Sequence, residues 1–236
     1  MNFLKRNLGF IEEMLKNGGT LTEKQQAKLE ILKTLYTQQR TMHNTRENRI
    51  PDRIVSITQP HIRTQVRGKA GRPYEFGAKV TISTLNGYTF IDEASYKPYY
   101  EGAYNHFENS IIDYYTRFGV LPVKILADSA YNTRDNRELC KKLKIKLMGK
   151  PLGRPPKGTI PHVDEHDISG RNEIEGDIGT LKTRYGWNRI MARLPETGMT
   201  AIAMSVLAMN LSKKAKDLLR LFFKELLFPS FRSFLV

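Results

Sequence analysis

The sequence predicts an α/β fold, a mixed sheet flanked by helices and preceded by a helical hairpin. Three observations lead there. Two runs of helix-spaced apolar residues fill the first forty positions, an Asn86-Gly87 turn joins two alternating stretches, and from Tyr104 onward helix-spaced segments alternate with short apolar runs.

Phe3, Leu4, Leu8, Ile11 and Leu15 recur at helical spacing until Asn17-Gly18-Gly19 stops them, which predicts a first helix of about four turns. Thr20-Leu21-Thr22-Glu23 has the form of a capping box, and Leu29, Leu32, Leu35 and Tyr36 carry one face of a second helix towards Met42. Lys and Arg crowd the outer face of this hairpin. A solvated surface explains them, and DNA contact is the alternative. Pro51 ends the arm, Arg53 to Ile57 is short and β-like, and Arg63, Arg67, Lys69 and Arg72 alternate with Gly68, Gly71 and Pro73 as an exposed basic loop.

From Tyr74, the residues Phe76, Ala78, Val80 and Ile82 alternate with others, Asn86-Gly87 turns the chain, and Tyr88, Phe90 and Ile91 return as the second arm of a hairpin. Tyr104 to Phe118 places Phe107, Ile111, Ile112, Tyr115 and Phe118 on one helical stripe ended by Gly119. Val123 to Ala127 reads as a buried strand finishing at Asp128, Thr133 to Leu143 as a helix, and Ile145 to Met148 as another strand. The Pro- and Gly-rich segment from Lys150 to Pro161 reads as a basic loop, and two helices follow, one ending at Gly186 and one from about Thr197 to Leu219. No internal repeat is evident. The order hairpin, helix, strand, helix, strand, helix, helix is that of an RNase H-like domain, except that such a domain opens with one more central strand.

An excess of 38 Lys and Arg over 24 Asp and Glu, giving +14 and a pI near 9.8, puts nucleic acid first among partners. The most apolar tail, Leu218 to Val236, is interrupted by Arg220, Lys224, Glu225, Pro229 and Arg232, so no membrane role is expected. No signal-peptide core follows the start, which predicts a cytoplasmic protein. The single cysteine, Cys140, excludes an internal disulfide and gives no support to a zinc site.

Two carboxylates stand out. Asp128 ends an apolar strand, where a side chain leaves the sheet towards a cleft; the ordinary alternative is the first residue of a turn. Glu175 lies on a helix where, with Arg171 at zero, Glu175 falls near ~40° and Lys182 near ~20°, beside an apolar face of Ile174, Ile178, Leu181 and Tyr185 at roughly 280° to 340°. Glu173 points to solvent on the same wheel. A carboxylate on that border can reach metal at the strand ends with Arg and Lys beside it for phosphate; a plain Arg-Glu helix pair is the alternative. Hard oxygen ligands with few His and one Cys favour Mg²⁺ or Mn²⁺.

The run Arg171-x-x-x-Glu175-x-x-x-x-x-x-Lys182 resembles the Glu-region signature of bacterial insertion-sequence transposases of the DDE superfamily, and Leu126-Ala127-Asp128-Ser129-Ala130-Tyr131 resembles the region of their second Asp. Asp52-Arg53-Ile54-Val55-Ser56-Ile57, Arg67-Gly68-Lys69-Ala70, Tyr74-Glu75-Phe76-Gly77-Ala78-Lys79 and Leu152-Gly153-Arg154-Pro155-Pro156 are similar to one subgroup of that family. Ile168 departs from it, standing where members often carry Tyr.

The resemblance implies metal-dependent cleavage and joining of DNA, with Asp128 and Glu175 as catalytic metal ligands for Mg²⁺ or Mn²⁺. Arg171, Lys182, Arg63, Arg67, Lys69, Arg72, Arg154 and Lys157 would contact phosphate or DNA. It implies double-stranded DNA, both insertion-sequence ends and target, as the partner, with a homo-oligomer or an intact transposase as a further associate. It further implies that residues 1–50 are part of a helical insertion, 51–220 an RNase H-like catalytic region lacking its first strand and first Asp, and 221–236 a tail. Asp52 and Asp92 are the in-chain substitutes for that Asp, each also explained by a structural role. A non-catalytic DNA-binding remnant is the alternative function.

Overall fold

A computed structural model describes residues 2–66, 74–148 and 165–227. The chain divides into two compact units. The first comprises Met1–Lys79 with Ser95–Pro98 and Arg193–Pro195, and the second Val80–Ala94, Tyr99–Ala192 and Glu196–Val236.

In the first unit, helix α1 (Asn2–Lys16) and helix α2 (Glu23–Thr45) bury Leu8 and Leu29. The capping box that opens α2 sits two residues later than expected: Thr22 is the N-cap and Gln25 its reciprocal partner, because Thr22 has the extended backbone a cap requires and Gln25 reaches back to its N–H. Past α2 the chain folds back. The Gln38 amide accepts from the Ile54 N–H at 2.9 Å and donates to the Asp52 carbonyl at 3.2 Å, so the segment expected to be a strand near Ile54 is held by a side chain instead of a sheet.

Strand β1 (Thr64–Val66) and strand β2 (Tyr74–Phe76) then pair antiparallel, Thr64 opposite Phe76 and Val66 opposite Tyr74. The alternation read from Tyr74 through Ile82 as one strand is therefore two. Gly77, at φ +133°, takes a backbone conformation closed to other residues and breaks the run before strand β3 (Lys79–Leu85).

In the second unit, β3 and strand β4 (Tyr88–Ser95) form the hairpin predicted around Asn86-Gly87, both of which have positive φ. Helix α3 (Tyr104–Phe118), strand β5 (Lys124–Leu126), helix α4 (Arg134–Lys142) and strand β6 (Lys146–Met148) follow, with β5 and β6 parallel and Ile125 opposite Leu147. Helix α5 (Glu165–Arg184) and helix α6 (Pro195–Leu227) complete it; α6 runs well beyond the end expected near Leu219.

Alternating side chains show how these elements layer. Phe90 stacks edge-on against Phe118 of α3, while its neighbour Ile91 packs with Leu181 of α5 and Val206 and Met209 of α6. Ile125 of β5 packs with Phe107 and Ile111 of α3, Leu139 and Cys140 of α4, and Ile145. Its neighbour Leu126 points to the other side, where a Cβ on Gly170 of α5 would lie 2.4 Å from Leu126 Cδ1. Successive strand residues face opposite sides of a sheet, so the β3-β4 and β5-β6 sheets share one layer with α3 on one face and α5 on the other. Each fully buried Phe or Ile in these cores stabilises by about 1.5–3 kcal/mol.

Among the described residues β3 pairs only with β4, and β5 only with β6. The edge of β4 away from β3 is closed by side chains: Asn210 of α6 accepts from the Thr89 N–H at 3.0 Å and donates to the Thr89 carbonyl at 2.7 Å, and Arg117 of α3 donates to the Ile91 carbonyl at 3.2 Å. The edges of β3 and β5 that face away from their partners carry no strand among the described residues.

Candidate active site

Asp128 stands two residues beyond the end of β5 and caps the 3-10 turn Ser129–Tyr131. Its Oδ1 accepts from the Ser129 N–H and from the Ser129 hydroxyl at 3.2 Å, and the residue is exposed. The turn is held from three directions. Tyr100 Oη donates to the Ala130 carbonyl at 2.7 Å. Asn136, wholly buried in α4, donates through Nδ2 to the carbonyls of Tyr131 and Gly102, each at 2.9 Å. Gly102 approaches so closely that a Cβ there would lie 1.9 Å from the Ala130 carbonyl oxygen, so only glycine fits. Sequence reasoning missed this clamp: Asn136 sits in an otherwise polar stretch of helix, and nothing in its spacing signals burial.

Beyond the turn, Thr81 of β3 meets two phenols, Tyr99 at 2.8 Å and Tyr131. Burial pushes the Tyr99 phenol up to about 12 and the Tyr131 phenol still higher, with the Glu101 carboxylate adding to the rise at Tyr131. Both are neutral hydroxyls at physiological pH. They tie the Asp128 turn to β3 without adding charge.

Glu175 lies exposed on α5, while Leu181 is fully buried and Ile174, Ile178 and Tyr185 are partly so, as the helical phase predicts. Lys182 is half-buried. Arg171 belongs to α5 one residue after Gly170, where the helix touches β5. Glu173 is exposed, yet its Oε1 stands beside the hairpin turn at Gly87. Asp177, not singled out from the sequence, accepts from the Thr89 hydroxyl at 2.8 Å and anchors α5 to β4.

The in-chain substitutes have other work. Asp92, 4% exposed at its side chain, accepts from the Ser83 hydroxyl at 2.9 Å and is paired with Arg117 at 3.2 Å. Burial raises its carboxyl above the ordinary value, and the bonds from Ser83 and Arg117 oppose that rise. Asp52 lies in the first unit at φ +50°, with its exposed carboxylate 3.5 Å from Arg63 Nε. Arg63 is half-buried there and also donates to the Pro60 and Ile62 carbonyls. Arg67, Lys69, Arg72, Arg154 and Lys157 lie outside the described residues.

Asp128 and Glu175 offer the hard oxygen donors that Mg²⁺ or Mn²⁺ prefers. Yet among the described residues no three carboxylates, His or Cys gather in a group able to hold a metal ion. The donor chemistry fits; the number of ligands does not by itself complete a site for a pair of ions. Cys140 is buried, its thiol is pushed up, and it serves as a core residue.

Residues 125–212 match the family described as Transposase DDE domain. The matched stretch runs from Ile125 of β5 through the Asp128 turn, α4, β6 and α5 into α6. No curated protein and no solved structure matches the chain. No described helix is long and apolar enough to cross a membrane.

Proposed function

We propose that the chain is the C-terminal part of the catalytic region of an insertion-sequence transposase, RNase H-like in fold, which cleaves and joins phosphodiesters in double-stranded DNA with Mg²⁺ or Mn²⁺. Residues 51–220 belong to that region, 1–50 to a helical insertion within it, and 221–236 to its tail. Asp128 and Glu175 serve as metal ligands. Arg171 and Lys182 contact phosphate, and Arg63, Arg67, Lys69, Arg72, Arg154 and Lys157 bind the DNA backbone, an affinity that falls steeply with salt. The setting is the bacterial cytoplasm, on the nucleoid.

The observation that carries this reading is the shared layer of β3-β4 and β5-β6. The two sheets lie between the same helices, Thr81 of β3 meets Tyr131 beyond β5, and the free edges of β3 and β5 pair with no strand among the described residues. One further strand between them would join the two into a mixed sheet and bring a third carboxylate beside Asp128. The resemblance assigns the first catalytic Asp to that strand. A second reading, a DNA-binding remnant without catalysis, is favoured by the lack of a three-carboxylate group among the described residues.

Nicking and strand transfer of supercoiled DNA in Mg²⁺ or Mn²⁺ separates them, comparing this chain, a version extended upstream by one strand, and the extended version with Asp128→Ala or Glu175→Ala. Activity in the extended chain only, lost by at least about a hundredfold in each variant, supports the transposase reading. Silence in the extended chain, with salt-sensitive DNA binding retained, moves the conclusion to the remnant. Activity that survives both substitutions refutes the assigned ligands.

A further inference from the structure

The segment that leads from β4 into α3 brings an aromatic ring to the Asp128 turn. Tyr100 donates its hydroxyl to the Ala130 carbonyl at 2.7 Å, two residues past Asp128. The hydroxyl end of the ring rests against Gly102, where a Cβ would come within 2.9 Å of Tyr100 Cζ, and Asn136 fixes Gly102 in turn. Yet Tyr100 is 56% exposed. One end of the ring is pinned while much of its surface faces water. Of the aromatic side chains more than half exposed among the described residues, Tyr100 is the one bonded to this turn. Holding Ala130 accounts for the hydroxyl, but it gives no reason for a ring left open beside an exposed Asp128.

Resting on the reading of Asp128 as a metal ligand in DNA strand transfer, we propose that Tyr100 is a substrate-positioning residue whose exposed ring stacks on an unpaired nucleobase next to the phosphate held at Asp128. The reach is right. The Cα atoms of Ala130 and Asp128 are at most ~7.6 Å apart across two peptide units, about two steps of a nucleic-acid strand at roughly 3.4 Å each. Every base offers a π-face, so a lone ring can hold one without reading its sequence. Tyrosine has only two side-chain torsions, and the bond to Ala130 sets them before any ligand arrives, so little conformational freedom is lost on stacking. A chain of net charge +14 supplies the attraction for phosphates, but phosphate contacts from Arg171 and Lys182 would not distinguish opened from paired DNA. Tyr100 would make that distinction. Inside a duplex both faces of a base are covered by its neighbours, and only a base released from pairing can present a face to the ring.

Binding of the full chain to two DNA duplexes tests it, one fully paired and one carrying 2-aminopurine as a single unpaired base, with the parent, Tyr100→Ala and Tyr100→Phe compared. The parent is expected to bind the second duplex more tightly and to change the emission of its 2-aminopurine, a result that needs no substitution. Tyr100→Ala should weaken that binding by about 5- to 150-fold and leave the paired duplex unaffected. Its dependence on salt should match the parent's, because no phosphate contact is lost. Tyr100→Phe keeps the ring, loses the bond to Ala130, and should bind like the parent. Equal losses in Tyr100→Phe and Tyr100→Ala, or a loss of the same size on both duplexes, would assign Tyr100 to holding the turn alone and overturn the proposal. A parent that binds both duplexes equally, with unchanged emission, overturns it too and leaves the strand-transfer reading standing. Binding to neither duplex overturns both together.

Discussion

Asn136→Ala removes the one side chain that holds the Asp128 turn from beneath. The wild-type amide donates to the Gly102 and Tyr131 carbonyls from a fully buried position. The two acceptors differ in what the substitution leaves them. Tyr131 O keeps a bond from the Thr133 N–H at 2.9 Å, so it loses one of two donors. No other donor to Gly102 O stands against it from α4, and a buried acceptor left dry costs about 1–3 kcal/mol. Against this, Asn136 Oδ1 is itself buried without a partner, and its removal returns part of the loss. The balance is a destabilisation of about 2 kcal/mol. Urea unfolding followed by circular dichroism reads it, with Trp187, the only tryptophan, reporting separately on the α5-α6 core. Gly102→Ala should cost at least as much, since its Cβ would meet backbone, Ala130 O at 1.9 Å and Ala130 C at 2.7 Å. Because both changes act on one turn, the double variant should lose less than the sum of the singles. A loss under about 0.5 kcal/mol for Asn136→Ala, within the range of ordinary surface changes, would refute the clamp, as would strict additivity with Gly102→Ala.

Two further outcomes follow from the hairpin. Asn210→Ala strips both partners from the Thr89 backbone and should destabilise by about 2 kcal/mol, with amide exchange at Thr89 accelerating more than at Ile125; equal acceleration at both would mean that the edge of β4 is held by something else. Asp92 has a folded value raised above its unfolded 3.8, so the folded state binds more protons in between, and stability falls as pH rises from 3.8 through the raised value. Asp92→Asn keeps an acceptor for Ser83 and removes the titration, so its stability relative to the parent should improve as pH rises from about 4 to 7; a difference that stays flat or runs the other way contradicts the assignment.

Local patterning carried much of the fold. The α3 stripe from Tyr104 to Phe118, the Asn86-Gly87 hairpin turn, the Thr133 start of α4 and the phase of α5 are each written in residues a few positions apart, and each appears where that pattern predicts. The candidate site was legible at the same range: Asp128 closes an apolar run, and Glu175 and Lys182 share a helix stripe. Errors arose where a local pattern had two solutions. Tyr74 to Ile82 alternates as one strand would, but Gly77 divides it, and β2 turns back to β1 across a sequence gap no periodicity spans.

By itself the sequence determined the helices and the β3-β4 hairpin turn and the basic balance of charge, and it singled out Asp128 and Glu175, because propensity, periodicity and composition act over single turns and strands. Tertiary structure alone decided that Asn136 and Gly102 fix the Asp128 turn, that Asn210 and Arg117 close the edge of β4, and that Asp92 is engaged with Ser83 and Arg117. Those outcomes depend on hydrogen bonds and contacts between residues far apart in the chain, whose partners are chosen only when the helices close on the sheets.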